Sequence, residues 1–394
     1  MRSRRHPPPG PDRDRARPAQ VLVVHSSDEL YGADRILLEV VAALRDEAGL
    51  RVVVWLPAGS SSGSEAPEGG GALAAELVRR GCAVEHHPLP ILRRANLSRH
   101  GMAELARAGW ITGRLLRQRR FGAVYLMTSA CLPVAPLARL AGIRRVLVHL
   151  QEMWSGPDRV VLRGLAAFCT AAIAISTPVA KASGLRRWPP VDVVENGIGL
   201  PAGTVAAAVQ GPPPRYLVAS RWNAWKGHET LLRAWDLAGC PGTLVVVGAP
   251  PPVGAGVDVP RLVRELVARP ETVQVIGQVD SIGPYLAAVD ALILPSDRPE
   301  PFGLVVIEAF GRGRPAIASR GGGPLHIITD GVDGWLFDLG SAAALAALLG
   351  RLDPATLRRA GERARQTYLD RYTPESYRQR IAATVERRWR RPRI

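Results

Sequence analysis

Lysine is almost missing from this 394-residue chain, which contains two lysines, Lys181 and Lys226, beside 49 arginines. Position 226 therefore keeps a residue type that the composition otherwise avoids. A lysine ammonium is a compact point charge on a flexible stem, whereas an arginine guanidinium is a planar fork. We predict that the loop around Lys226 needs such a point charge. The alternative is a chance lysine in a solvated loop.

Cysteines in close spacing and paired acids are also scarce. The four cysteines are Cys82, Cys131, Cys169 and Cys240. Their spacing matches neither a metal site nor a dense disulfide framework, which is typical of reduced thiols in a cytoplasmic protein and leaves a disulfide open. Outside the N-terminal arm, which contains Asp12 and Asp14, no acidic pair has the Asp-x-Asp spacing that would hold a divalent cation against a diphosphate. We predict no metal site.

No apolar run is long enough to predict a membrane span. The most apolar stretch, residues 160–176, is short, rich in alanine and interrupted by Arg163, which favours a buried helix followed by a strand. The N-terminal sequence MRSRRHPPPGPDRDRARP lacks the apolar core of a signal peptide. We interpret residues 1–18 as a disordered basic arm and expect a cytoplasmic protein.

Acidic side chains are too few to balance the arginines. The formal net charge is +16, and residues 1–200 hold 27 basic and 17 acidic side chains, while the last eight residues, RRWRRPRI, hold five arginines. This uneven distribution predicts a directional partner such as nucleic acid, an anionic membrane surface or an acidic acceptor. No nucleic-acid-binding signature or aromatic stacking platform occurs, so we expect no nucleic acid. Arginine-rich composition without a partner is the alternative.

Short apolar runs alternate with helical patterns along the chain. In the first half they predict strands at residues 21–25, 51–56, 123–127, 145–150 and 171–176. In the second half they predict strands at residues 215–220, 243–248, 273–277 and 291–295. Near-continuous apolarity marks strands that are buried on both faces, and helices separate these strands. We therefore predict an α/β fold with doubly wound parallel sheets.

An unpatterned stretch that ends in three prolines, residues 201–214, is typical of a linker. It separates a first Rossmann-like domain, residues 19–200, from a second, residues 215–373. Residues 374–394 are predicted to form a C-terminal helix and a basic tail that return to the first domain. We predict two Rossmann-like domains that face a cleft.

Two polar motifs in the second domain lie at predicted strand ends, where open α/β sheets bind ligands. In the first, SRWNAWKG (220–227), Arg221 and Lys226 precede Gly227, a combination that suits a diphosphate. The second, EPFGLVVIE (300–308), is expected to be a loop followed by a helix over 304–312.

The start of that helix is a predicted anion site, because backbone N–H groups and the helix dipole favour negative charge there. We expect the amides of Gly303 and Leu304 to face a phosphate. Glu308, one turn further on, could accept hydrogen bonds from ribose hydroxyls, and Glu300 could accept them from a sugar. A loop acid and a helix salt-bridge acid without a ligand are the alternative for this pair.

Four blocks of the sequence resemble glycosyltransferase family 4, whose members are retaining enzymes with the GT-B fold. Two of them are EPFGLVVIEAFGRGRPAIASRGGGPLHIITDGVDGWLF (300–337) and SRWNAWKG. The others are VVENGI (193–198), which resembles the interdomain hinge, and HSSDELYGADRILLEVVAAL (25–44), which resembles the segment that holds the glycine-rich turn. The resemblance covers nearly the whole chain apart from the two tails.

The resemblance implies that the second domain binds a nucleotide sugar and the first binds the acceptor. The donor-binding residues that it implies are Gly32, Ala33, Arg221, Lys226, Glu300, Phe302, Gly303, Leu304 and Glu308. The residues that we assign to catalysis on this basis are His149, Glu300, Arg221 and Lys226. Two further residues, His25 and Glu152, are candidates on the acceptor side.

Three positions depart from the family pattern. His326 stands where the family often has glutamate, NGIG (196–199) lacks the common aspartate, and LQE instead of a second histidine follows His149. The choice between His149 and Glu152 as the polar group that faces the acceptor therefore stays open. A strand-end histidine with a structural hydrogen bond is the alternative for His149.

The resemblance implies a retaining, metal-independent hexosyltransferase without a cofactor, which uses a UDP-, GDP- or dTDP-sugar. We expect a glycan or lipid-linked acceptor in envelope or extracellular polysaccharide synthesis. The basic amphipathic helix predicted at residues 99–120 adds the hypothesis of peripheral contact with an anionic inner leaflet. Two alternatives are a non-catalytic nucleotide-sugar-binding subunit and a GT-B nucleotide-sugar epimerase.

Overall fold

Two parallel β-sheets organise the chain in the computed structural model, which describes residues 20–30, 32–58, 71–93, 98–200, 213–251 and 256–389. The predicted arm and most of the predicted linker lie outside these ranges. We call the first sheet with its helices the first unit, and the second sheet with its helices the second unit.

The first sheet has seven strands in the order β3-β2-β1-β4-β5-β6-β7. The strands are β1 (Gln20–Val24), β2 (Arg51–Pro57), β3 (Ala83–His87), β4 (Ala123–Leu126), β5 (Val146–Leu150), β6 (Ala171–Ala174) and β7 (Val191–Val193). The helices are α1 (Gly32–Ala42), α2 (Ala72–Arg79), α3 (Arg99–Gln118), α4 (Val134–Leu140), α5 (Asp158–Ala166) and α6 (Thr177–Ser183). A π-helical turn, Ala43–Glu47, extends α1.

The second sheet has six strands in the order β10-β9-β8-β11-β12-β13. The strands are β8 (Arg215–Ala219), β9 (Thr243–Val247), β10 (Val273–Gly277), β11 (Ala291–Leu294), β12 (Ala316–Ser319) and β13 (Gly334–Phe337). The helices are α7 (His228–Leu237), α8 (Val259–Leu266), α9 (Gly283–Ala287), α10 (Leu304–Phe310), α11 (Pro324–Ile327), α12 (Ala342–Leu349), α13 (Pro354–Arg371) and α14 (Pro374–Trp389).

The predicted α/β fold with two doubly wound parallel sheets is confirmed, and each of the nine predicted strands is present within two residues of its predicted ends. Four strands, β3, β7, β12 and β13, were not predicted. Three of these are edge strands. Of the four, β3 and β7 are partly exposed, whereas β12 and β13 are fully buried and only four residues long. Helix α10 ends at Phe310, two residues before its predicted end.

Each sheet reverses its strand order at one point. The reversal lies between β1 and β4 in the first sheet and between β8 and β11 in the second. Loops that leave neighbouring strands in opposite directions open a crevice at the carboxyl ends of those strands. The topology therefore creates one crevice in each unit. Lys226 and Glu300 follow β8 and β11 at the second reversal, and His25 follows β1 at the first, whereas His149 and Glu152 lie at the end of β5 and in the loop after it.

The two units share a continuous apolar core where the chain passes between them. Buried side chains of α10, α13 and α14 belong to the same cluster as the strands of the first sheet. The segment that resembles a hinge packs there: Ile198 N donates to Tyr372 O at 3.1 Å, and Tyr368 Oη donates to Ile198 O at 2.8 Å. A Cβ on Gly197 would lie 2.6 Å from Thr373 O, so the close approach requires glycine.

Helix α14 leaves the second unit and packs on α1 and its π-helical turn in the first. Arg378 Nε donates to Glu39 Oε2 at 2.6 Å, and Arg388 Nε donates to Asp192 Oδ2 at 2.5 Å. The arginine-rich residues 390–394 lie outside the described chain. No helix within the described ranges is both long and apolar enough to cross a lipid bilayer.

Candidate donor and acceptor sites

The crevice of the second unit is built on the loops after β8 and β11. Lys226 ends a short 3-10 turn after β8, and its Nζ lies 2.6 Å from Oε1 of Glu300. The ammonium also lies 4.1 Å from the centroid of the Trp225 ring, a cation–π distance. The ion pair with Glu300 and the face of the Trp225 ring together orient Lys226, the lysine that the composition singled out.

Gly227 lets the backbone turn directly after Lys226. Its φ is +72°, and a Cβ at this position would lie 1.9 Å from Pro295 O. Residues other than glycine rarely adopt this left-handed conformation, and any Cβ would collide with the loop after β11. The glycine therefore holds the two loops, and hence Lys226 and Glu300, against each other.

Glu300 is buried at the foot of the crevice and has a second partner. Ser296 Oγ donates to Glu300 Oε1 at 2.5 Å, and Ser319 Oγ donates to Ser296 O at 2.7 Å. A parallel bridge joins Glu300 to Gly322, where a Cβ would lie 1.9 Å from Glu300 O. The sequence did not identify Ser296, a small polar residue within a loop.

Glu308 lies on α10, which begins after Gly303 at a φ of +101°. The carboxylate is nearly buried, and Arg35 Nη1 of α1 donates to its Oε1 at 2.7 Å. Arg312 Nη1 donates to the backbone oxygen of Glu308 at 3.2 Å. Burial lowers the pKa of Arg312, which is 3% exposed. Two arginines thus surround this acid, and neither was predicted.

The first turns of α1 and α10 meet across the cleft. A Cβ on Gly32 would lie 2.9 Å from Leu304 Cδ1, so the two helix starts are in contact. Ala33 is half-buried beside Gly32. Ser176 Oγ of the first unit donates to Pro301 O at 2.6 Å, a second contact between the units at this edge.

Arg221 and Phe302 occupy different surroundings from the core of this cluster. Arg221 is exposed after β8, and its Nη2 lies 3.8 Å from Glu29 Oε2 of the first unit. Phe302 is buried, and its ring centroid lies 6.3 Å from that of Tyr372. Phe302 therefore packs between the units, and the donor contact that the resemblance implies stays a prediction.

His25 follows β1 in the crevice of the first unit and is fully buried. Its Nε2 lies 2.6 Å from Asp34 Oδ1, and Ser27 Oγ donates to the same oxygen at 2.6 Å. Within the described chain, His25 Nδ1 has no hydrogen-bond partner. Asp34 was quoted in the sequence block but was not assigned a role.

His149 is fully buried at the end of β5 and is not exposed to solvent. Its Nδ1 lies 3.1 Å from the hydroxyl of Tyr125, while its Nε2 has no partner among the described residues. Burial lowers the pKa of His149 to about 3, so the ring is neutral at physiological pH. Its chemistry is that of a neutral hydrogen-bonding group.

Glu152 lies in the loop after β5 and is the more accessible of the two candidates on the acceptor side. Ser129 Oγ donates to its Oε2 at 2.8 Å. Trp154 Nε1 donates in turn to Ser129 Oγ at 2.7 Å. These contacts orient the Glu152 carboxylate, whose pKa is raised because the surrounding protein desolvates it.

No group of three or more metal-ligating side chains is found in the part of the chain that the structure describes. The four cysteines, all within it, are buried and unpaired. His326, which stands where the family often has glutamate, is exposed on α11, and its backbone oxygen accepts from Arg371 Nη2 at 3.1 Å.

Comparison with known proteins agrees with this geometry. Residues 213–352 match the family model of the glycosyl transferases group 1. The D-inositol 3-phosphate glycosyltransferase of Streptomyces griseus is 31% identical over 201 residues, 47% of this chain and 42% of that protein. The lipopolysaccharide core biosynthesis glycosyltransferase LpsE of Rhizobium meliloti is 31% identical over 106 residues, 26% of this chain and 31% of the relative. The chain therefore spans less than half of the length of these curated relatives.

Two solved structures share the fold over nearly their whole length. HepE from Anabaena, in complex with UDP-glucose, has a TM-score of 0.73 at 23% identity and covers 94% of this chain and 100% of its own. Sucrose-phosphate synthase from Thermosynechococcus elongatus has a TM-score of 0.71 at 20% identity, and the match covers 94% of this chain and 98% of that protein. Residues 213–352 thus resemble the glycosyl transferases group 1, within a chain that has the two-sheet GT-B fold.

Proposed function

We propose that this protein transfers a hexose-type sugar from a nucleoside diphosphate sugar to a glycan or lipid-linked acceptor, with retention of anomeric configuration. The observation that carries the proposal is the cluster of Lys226, Glu300 and Glu308 around one crevice, at the point where β8 and β11 diverge. The family match of the second unit supports it.

The leaving group is the nucleoside diphosphate, which gains negative charge as the bond to the anomeric carbon breaks. In the proposed site, Arg221, Lys226 and the amides at the start of α10 stabilise that charge. An ammonium has three N–H donors, so Lys226 can keep its contact with Glu300 and still donate to a phosphate. Loss of one preorganised donor of this kind typically raises the barrier by about 3 kcal/mol.

The two glutamates orient the donor in this proposal. Glu308 accepts hydrogen bonds from the ribose hydroxyls after exchange with Arg35, and Glu300 accepts them from the transferred sugar. Ser296 and Lys226 hold Glu300 in its place beforehand, so little reorganisation is needed on binding. UDP- and GDP-sugars share these contacts, whereas a dTDP-sugar, whose deoxyribose lacks the 2′-hydroxyl, would keep the diphosphate contacts and one hydroxyl contact with Glu308. The proposed chemistry needs neither a cofactor nor a metal.

On the acceptor side, we propose that His149 serves as a neutral hydrogen-bonding group for the reacting sugar, with Glu152 and His25 as further acceptor contacts. The unpartnered Nε2 of His149 supports this role, because a buried polar atom without a partner is costly. We make no assignment of a nucleophile. We propose a cytoplasmic enzyme of envelope polysaccharide synthesis that meets its acceptor at an anionic membrane surface.

A thermal-shift panel of nucleotide sugars tests the donor assignment. A ligand at 100 times its dissociation constant adds about 2.7 kcal/mol of stability, which raises the melting temperature. We expect stabilisation by one class of nucleotide sugar and, with a cellular membrane extract as acceptor, release of the nucleoside diphosphate. Stabilisation without turnover would indicate a binding subunit, and an altered but untransferred sugar would indicate an epimerase. No stabilisation by any donor would contradict the proposal.

A further inference from the structure

The helices on one face of the first sheet lack a covering layer. Right-handed crossovers place α3, α4, α5 and α6 on one face of a doubly wound sheet with this strand order, and α1 and α2 on the other. Helix α14 packs on α1 and covers part of that second face with buried side chains, among them Ile381 and Val385. No described element covers α3, α4 and α5 in this way.

Large apolar side chains are exposed along this face. We define the α3–α5 face by five of them, whose exposed fractions exceed one half: Met102 (53%), Trp110 (66%), Leu140 (71%), Val160 (72%) and Val161 (59%). They come from three helices, so no single amphipathic helix accounts for them. An exposed apolar surface of this extent marks a binding surface.

A groove of about 470 Å³ lies between α3 and α4. Its walls include Pro90, Met102, Leu105, Trp110, Leu137 and Leu140. Gly113 of α3 faces Leu137 of α4, where a Cβ would lie at an ordinary contact distance of 3.7 Å from Leu137 Cδ2. Trp110 therefore projects from the edge of an apolar depression and not from a flat helix surface.

The charge around these apolar groups has one dominant sign. Six exposed arginines of α3, α4 and α5 stand against two exposed acids, Glu104 and Asp158. The arginines are Arg107, Arg114, Arg117, Arg139, Arg159 and Arg163. Among the described residues, Arg107, Arg114 and Arg117 form no ion pair with an acid. Arg114 lies 5.9 Å from the centroid of the Trp110 ring, so cation and aromatic ring occur side by side.

We infer that the α3–α5 face docks on an anionic phospholipid bilayer, with Trp110 and Leu140 entering the interfacial region and the arginines contacting lipid headgroups. Tryptophan prefers the boundary between headgroups and acyl chains, and basic residues are attracted to anionic lipids. The inference deepens the proposed function, on which it rests for the identity of the acceptor side.

Helix α5 links the α3–α5 face to the loop that follows β5 in the first unit. In parallel α/β units each helix begins near the carboxyl edge of the sheet and runs back along the strands. Helix α5 begins soon after Glu152, so Val160 and Val161 lie close to the crevice mouth in the chain. A saccharide on a lipid anchor would thus reach the crevice from the edge of the docked face.

Vesicle flotation of the full chain tests this inference. We expect the protein to float with vesicles of phosphatidylcholine mixed with phosphatidylglycerol, and to float poorly with phosphatidylcholine alone. The double variant Arg107→Gln/Arg114→Gln should weaken partitioning about thirtyfold, because both arginines lie near the charged surface. The double variant Trp110→Ser/Leu140→Ser should also weaken it. The matched controls, Arg264→Gln and Leu237→Ser on exposed positions of the second unit, should not.

Three results would overturn the inference. One is equal partitioning of the face variants and the unmodified chain. Another is loss of binding only when residues 390–394 are removed, which would assign the interaction to the basic tail. The third is a concentration-dependent dimer, abolished by Trp110→Ser/Leu140→Ser, without vesicle binding, which would assign the face to a second copy. The thermal-shift panel measures stabilisation by the donor independently of vesicle flotation. A negative flotation result would therefore not contradict the donor proposal.

Discussion

Arg35 of the first unit and Glu308 of the second form an ion pair across the cleft, with 2.7 Å between Nη1 and Oε1. Glu308 is nearly buried, whereas about a third of the Arg35 side chain is exposed. The carboxylate proposed to bind ribose is therefore paired with a guanidinium of the other unit. Donor binding and the contact between the units should compete for the same oxygen atoms.

The pair can be tested by a double-mutant cycle of Arg35→Gln and Glu308→Gln in urea unfolding. We expect a coupling free energy of about 1 kcal/mol in the empty protein, because the carboxylate is largely desolvated. Saturating nucleoside diphosphate should reduce it, since the ribose takes over Glu308. The exposed pair of Arg233 and Glu229 on α7 is the control, with an expected coupling below about 0.5 kcal/mol. Zero coupling at Arg35 and Glu308 would contradict the interpretation.

Substitution of Lys226 tests the donor site. Lys226→Ala should lower the rate of transfer at least about 100-fold, because it removes a cation at the leaving diphosphate. Glu308→Ala should also abolish transfer in a folded protein. Lys181→Ala is the matched control and should leave the rate of transfer unchanged, since Lys181 is the only other lysine and is exposed on α6. Circular dichroism checks folding, and full activity of either site variant would remove the assignment.

Buried His149 predicts a specific loss of stability in acid. In the unfolded chain its pKa is the ordinary 6.5, whereas burial lowers the native pKa to about 3. The unfolded state therefore binds more protons between these values, and stability falls as the pH decreases from 6.5 toward 3. At pH 5, His149 alone should lower the free energy of unfolding by about 2 kcal/mol.

His149→Gln should reduce the difference in unfolding free energy between pH 7.5 and pH 5 by that amount. His228 adds a similar loss, because burial, and then nearby Lys226, lowers its pKa to about 4. His100 is 86% exposed, so His100→Gln is the control and should leave the pH dependence unchanged. An equal pH dependence in His149→Gln and the unmodified chain would show that His149 is accessible to protons in the native state.

Gly227→Ala should lower the free energy of unfolding by more than the cost of holding an alanine in the left-handed conformation. Gly239 provides the comparison, because its φ of +73° matches the +72° of Gly227 while a Cβ there would have open space around it. We expect about 1–2 kcal/mol of destabilisation for Gly239→Ala, the cost of the left-handed conformation. Gly227→Ala should exceed it clearly through the collision with Pro295 O. Equal urea midpoints for the two variants would contradict the proposed role of this turn.

Metal independence is tested with a chelator. We expect the transfer rate to be the same before and after treatment with EDTA, because arginine, lysine and helix-start amides are proposed to stabilise the diphosphate. The measurement is initial rate with and without added Mg²⁺ or Mn²⁺. Strict dependence on a divalent cation would require acidic ligands that the proposal does not contain.

Much of the crevice of the second unit could be predicted from the sequence because its signals are local. Lys226 stood out by composition, Gly227 follows it directly, and the motif from Glu300 to Glu308 joins a loop to a helix start. Each of these features depends on neighbours within one or two turns. The apolar strand pattern likewise depends on burial on both faces, which is why the interior strands other than β12 were predicted and most edge strands were overlooked.

The partners of these residues could not be predicted, because they are distant in sequence. Arg35 and Glu308 are separated by 273 positions, and Lys226 and Glu300 by 74. In the sequence, Arg35 looks like an ordinary charged residue on an amphipathic helix. The burial of His149 could not be predicted either, since a polar residue at a strand end looks accessible until the packing of the loops above it is known.

The sequence by itself determined the alternation of strands and helices, the two loops that turn at glycine, and the uneven charge, because each follows from short-range pattern or composition. Only the tertiary structure decided which charges face one another across the cleft, how deeply His149 is buried, and that the apolar side chains of three helices share one uncovered face. These depend on the order of strands and the contact between two units, which no local pattern encodes.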